Sequence, residues 1–189
     1  AWSTNTNAKT IEAYITKDSA DSPGSVTEAS GIKVAAKDED SITADVGAWA
    51  VSFGLVAASV GISSTTNTID NNVRAFINCP VASAAGNIEV NAQSTATVAA
   101  ESLATAISLG VGGGFAGSWA TSKMTGGEIL AYVGPLATVA AFGAVPQGSI
   151  LVLATSSQTV SAKSQGYSGV LIGLPIGAAV AEAIVGTPT

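Results

Sequence analysis

The chain contains no histidine, a single cysteine (Cys79) and a single arginine (Arg74) in 189 residues. Without histidine, Ser-His-Asp and Cys-His nucleophilic centres are excluded, as are imidazole acid–base catalysis and the Cys/His sets that hold structural zinc. One cysteine cannot close an internal disulfide, so packing and backbone hydrogen bonds must hold the fold, with pairing between chains still open. Charge is scarce as well: 11% of residues are charged and the net charge is −6. Nucleic acid is therefore not an expected partner, nor is binding through a basic membrane-surface patch, because both need clustered Lys and Arg. Aromatic residues make up 5%, too few for the aromatic girdles of a membrane barrel.

What fills the chain instead is small or β-branched: 35 Ala, 21 Gly, 41 Ser plus Thr and 19 Val. That composition belongs to fibres and surface proteins rather than to average enzymes, and the chain is read as non-catalytic. The length fits one domain or about three copies of a small repeat. The chain starts at Ala1 with no charged segment leading into an apolar one, so it reads as a mature piece whose secretion signal is removed or lies outside it. Eight of the thirteen acidic residues fall in the first 45 positions, whereas residues 129–189 carry only Lys163 and Glu182. So neutral a final third suggests a surface covered by a neighbour, a lipid or more of the same chain.

Three apolar stretches, 46–62, 103–120 and 169–186, raise the question of membrane helices. The first two are rich in Gly, Ser and β-branched residues, which suits strands. In the third, Gly169, Gly173 and Gly177 have small-xxx-small spacing, but Pro175 and Glu182 interrupt it. No Lys/Arg cluster flanks any of them, so a membrane span is not expected.

The strongest signal is an internal repeat. IEAYI (11–15), VRAFI (73–77) and ILAYV (129–133) are spaced by 62 and 56 residues, and AWSTNTNAKTIEAYI (1–15) aligns without a gap on SSTTNTIDNNVRAFI (63–77). A second block begins at Ile32, Ile88 and Ile150, with the same two spacings in reverse order. A small-residue apolar stretch forms the third block. Within blocks the period is two: Ile88, Val90, Ala92, Ala96, Val98 and Ala100 alternate with Glu89, Asn91, Gln93, Thr95, Thr97 and Glu101, which describes half-buried strands. Pro and Gly in DSADSPGSV (18–26) and VPQGS (145–149) mark loops. At about 3.3 Å per residue, a unit of this length must make several passes. The expected class is all-β: one array of three units, approximately 1–62, 63–118 and 119–189, coiled as a wide β-solenoid or stacked β-roll. A two-sheet β-sandwich of a pilus-type subunit is the alternative.

The Gly/Ala stretch ending in GSWATSKM (117–124), the ILAYV strand and NIEVNA (87–92) together resemble the β-strand repeats of large bacterial filamentous adhesins of the leukotoxin and haemagglutinin-like type. The resemblance implies an elongated, secreted or surface-anchored β-solenoid stalk without catalytic residues. The third copy departs from the pattern: 167–186 contains proline and lacks the SSTTNT tail, so it reads as a cap or a junction.

Few residues suggest chemistry. Gly112, Gly114 and Gly117 satisfy G-x-G-x-x-G, but no helix pattern follows and the next acid, Glu128, lies in a strand-like repeat; tight sheet packing explains these glycines better than a dinucleotide. Asp38, Glu39 and Asp40 are the one candidate metal set, for calcium, although they match no EF-hand or calcium-roll spacing and also read as a solvated turn. No cofactor is otherwise expected. Trp2, Trp49 and Trp119 read as packing plugs, with sugar stacking as the surface alternative. No N-x-S/T sequon occurs. The function expected is a structural segment of an extracellular bacterial fibre or filamentous adhesin at the cell surface, whose partners are its own copies and possible host or environmental glycans. A strand-exchanging pilus subunit and a carbohydrate-binding β-helix are the alternatives.

Overall fold

A computed structural model of the chain describes residues 1–17, 25–125, 127–142 and 148–186, and every element in them is a strand. In order these are β1 (Trp2–Thr16), β2 (Ser25–Ala29), β3 (Ile32–Asn78), β4 (Val81–Ala84), β5 (Ile88–Met124), β6 (Ile129–Val133), β7 (Val139–Ala141) and β8 (Ile150–Val185). All pairings are parallel. The main sheet runs β1-β3-β5-β8 with β6 beside β3, and β2-β4-β7 form a separate three-stranded sheet.

The chain is an all-β coil of the solenoid class, and its register follows the sequence repeat. Ile11, Val73 and Ile129 stand in one column, and Ile32, Ile88 and Ile150 in another. Trp2, Ser64, Trp119 and Val180 also align, so one turn takes 62, 55 and 61 residues in succession. Each turn has two legs that face each other across the core. Asn67 Nδ2 donates to Ala99 O at 2.5 Å, Ser63 and Ser102 hydroxyls meet at 2.8 Å, and Ser108 Oγ donates to Ala57 O at 2.6 Å. As one residue number rises its partner's falls, so the legs run in opposite directions.

Alternation puts one face of each leg inside. In the middle turn Val73, Ala75 and Ile77 face inward on one leg and Ile88, Val90 and Ala92 on the other, all fully buried. Each Ile or Val buried this way contributes roughly 1.5–3 kcal/mol. Towards the other end the interior narrows to Ala104, Ala106 and Ala116. There the legs approach so closely that a Cβ on Gly61 would lie 2.5 Å from the Thr105 carbonyl oxygen, while one on Gly112 would collide with Ala57 O of the adjacent turn. Gly112 and Gly114 are thus packing glycines, whereas Gly117 has open space around it. Gly61→Ala is expected to destabilise by about 2 kcal/mol, because only backbone could yield. Gly117→Ala should stay within about 0.5 kcal/mol. Urea midpoints of the two variants check this pair.

The legs connect at bends where the ladder slips, between Phe53 and Val56 in β3 and between Ser108 and Val111 in β5. Gly54 and Gly173, with φ of 155° and 143°, serve these bends with backbone that side chains rarely adopt. The three apolar stretches of the sequence form these bends. Among the described residues no helix is long and apolar enough to cross a membrane.

Candidate functional site

The acidic run is not a turn. It lies inside β3, where period two sends Asp38 and Asp40 inward, in phase with Ile32, Val34 and Ala36, and sends Glu39 outward. Glu39 is exposed and pairs with Lys37 Nζ at 2.5 Å. The three candidate calcium ligands are therefore divided between two faces, and among the described residues no group of three or more acidic, His or Cys side chains gathers as a metal cage.

Asp38 and Asp40 meet side chains of the opposite leg instead. The Lys9 ammonium lies 3.0 Å from Asp38 Oδ1 and 2.5 Å from Asp40 Oδ1. Asn7 Nδ2 donates to Asp40 at 2.9 Å, and Asn71 Nδ2 donates to Asp38 at 2.9 Å and also to Asp40. Ser94, the residue in register with Asp38, offers its hydroxyl at 3.4 Å. The Asp38 side chain is fully buried, so its charge depends on Lys9. Hydrogen bonds from Lys9 to Asp40 and then to Asp38 raise the lysine pKa above 10.5. Chemically this is a polar layer between two apolar ones, in which one ammonium and three neutral side chains are shared by two carboxylates.

The outer face carries ladders that run along the coil axis. Tyr14, Phe76 and Tyr132 stack as parallel rings, with centroids 5.2 and 5.0 Å apart. Beside them Arg74 bridges Glu12 at 3.4 Å and Glu128 at 2.8 Å. Lys33 pairs with Glu89 at 3.1 Å, and Lys163 with Glu101 at 2.5 Å, each bond joining adjacent turns. Asn5 donates to Asn67 one turn away at 2.8 Å. Such exposed pairs add little stability each, but most join residues that stand in register on adjacent turns and so mark the turn-to-turn alignment.

The three tryptophans do not plug the core. They occupy the outward phase: Trp2 and Trp119 share one column, and Trp49 shares another with Tyr167. The interior beside them is filled by Ala, Ser and Gly and is too thin for an indole, which accounts for the displacement.

The two ends of the coil are open. On one side β1 and the first leg of β3 have partners along one edge only, and on the other side so has β8. Ser64 N donates to Ala1 O at 2.9 Å. In a parallel ladder this turns Ala1, Ser3 and Asn5 toward the second turn and leaves the Thr4 and Thr6 amides on the free edge. Ile32 N donates to Asn87 O, which by the same parity leaves the Lys33 and Ala35 amides free. At the far end Ile150 and Val152, whose column mates Ile88 and Val90 are fully buried, are 48% and 42% exposed. Lys9 was legible in the sequence as a residue in phase with Ile11, Ala13 and Ile15, but its acidic partners 29 and 31 positions away were not. No family model, curated protein or solved structure matches the chain.

Proposed function

We propose that the chain is a structural, non-catalytic segment of an extracellular bacterial fibre or filamentous adhesin, acting through self-association and presentation at a cell surface. The observation that supports this most is the in-register parallel ladder with a long unpaired strand edge at each end. Such an edge offers a row of backbone donors and acceptors that another strand can continue, and in a coil the continuing turn needs no new geometry. Further turns and a second copy satisfy it equally. The half-exposed Ile150 and Val152 would be buried by the same addition. The columns that cross turns (the stacked rings, the alternating charges and the paired asparagines) favour extension by the same unit, because each repeats at the spacing of one turn. The reading needs no cofactor.

The test is assembly from a blocked edge. Thr6→Pro with Ala35→Pro removes two edge amides and breaks no ladder bond. The wild-type chain, incubated at high concentration and imaged by negative-stain electron microscopy, should form unbranched fibres. The double variant should keep its far-UV strand spectrum and stay dispersed. Fibres of equal length from both would remove the edge from the account, and a wild-type chain that stays monomeric would remove the proposal.

A further inference from the structure

The bends at Phe53–Val56, Ser108–Val111 and Val170–Ile172 lie in stretches free of charged side chains: no Asp, Glu, Lys or Arg occurs in 46–69, 102–122 or 164–181. The register stacks these bends along one border of the coil, Val56 over Val111 over Ile172. Apolar side chains crown them, with Leu55 94%, Val56 86% and Leu174 74% exposed. A hollow of about 350 Å³ opens on one flank over Gly117, between Ile62, Trp119 and Val180. Burying a patch of this kind in water-free surroundings is favourable, and a soluble monomer rarely leaves one bare.

Tryptophan and tyrosine bound this border on both flanks. Trp49 and Tyr167 share a column on one leg, and Trp119 stands on the other. Counting at about 3.3 Å per residue from the bends, Trp49 sits roughly 15 Å back and Trp119 roughly 25 Å back. Those distances bracket the depth of one bilayer leaflet with its headgroups, about 20 Å, where amphipathic rings collect. Charged residues begin only behind the rings, at Asp45, Glu101 and Lys163 on one leg and at Lys123 and Glu182 on the other.

We infer that this border is a lipid-binding edge: the coil lies on a bilayer with its bends in the acyl region of one leaflet and its Trp and Tyr columns at the headgroups. The legs of the inner turn come near the condition hydrocarbon imposes, since they are bonded to strands on both sides and the ladder slips only at Gly54–Leu55 and Leu109–Gly110. A second copy is the poorer occupant. A bend-to-bend contact would leave the exposed Trp and Tyr columns on the flanks bare, whereas a lipid leaflet covers bends and rings together. A glycan is poorer still, since Ser52 spends its hydroxyl on Ser108. The inference stands apart from self-association, because a single coil presents the whole border.

Flotation of the full 189-residue chain with vesicles of pure phosphatidylcholine tests it. The chain should rise with the vesicles and its tryptophan emission should shift to the blue. Leu55→Asp with Leu174→Asp should retain the strand spectrum and partition roughly tenfold less or weaker. Phe53→Ser, a milder change at the same border, replaces the double variant if that one loses its strand spectrum. A folded wild-type chain that stays at the bottom of the gradient overturns the inference. So does flotation unaffected by these substitutions, and so do oligomers that depend on Leu55 and Leu174 without any vesicle binding, which would assign the border to a second copy.

Discussion

Lys9→Met is expected to destabilise the coil by about 3 kcal/mol, the low end of the penalty for leaving a buried charge without its partner. Asp38 loses its ammonium and, being fully buried, cannot turn to water. The low end applies because Lys9 itself is 37% exposed and water can enter in its place. Lys9→Met combined with Asp38→Asn and Asp40→Asn should recover most of the loss, since neutral amides of the same shape fill the layer. The layer should also show at high pH. Because folding raises the Lys9 pKa above 10.5, its contribution is complete below that value and fades as pH climbs through the higher folded-state value. Urea midpoints measured from pH 8 to 12 should fall at the alkaline end for the wild type and fall less for Lys9→Met. A variant as stable as wild type at neutral pH would contradict this role for Lys9.

The second large effect separates the turns. Ile32, Ile88 and Ile150 occupy one column with the same inward orientation, yet they are 6%, 0% and 48% exposed. Ile88→Ala should cost about 3–4 kcal/mol, because neighbours on both sides hold the cavity open. Ile150→Ala should cost less than about 1 kcal/mol in the dispersed chain, where half the side chain already meets water. In assembled material the Ile150 penalty should grow as the last turn acquires a neighbour. Denaturation of the dispersed and assembled forms of each variant reads both quantities. Equal effects at 88 and 150 in the dispersed chain would contradict the stacking order.

Much of this architecture was legible in the sequence. The repeat of IEAYI, VRAFI and ILAYV set the columns, and the alternation through 88–101 set the buried face. Both are local or periodic signals, which a single chain carries in full. What stayed hidden depends on which leg lies opposite. Asp38 and Asp40 had the phase of core residues, but a buried acid becomes sensible only with Lys9 across from it, and nothing in either strand names the other. The tryptophans depart from the sequence expectation for a related reason. An indole among Ala and Gly suggests a filled core, but the small residues let the legs approach so closely that no indole fits between them. Gly112 and Gly114 followed the expectation of tight packing, and Gly117 did not, because it lies in the outward phase.

Electron cryomicroscopy of the assembled chain addresses the central claim, a parallel coil extended through its open edges, most directly. The account predicts filaments with strand layers about 4.8 Å apart along the axis and with the strands perpendicular to it. Each chain should add about three layers, its Tyr14, Phe76 and Tyr132 forming a density column parallel to that axis. Discrete closed particles, or filaments whose strands run along the axis, would contradict it.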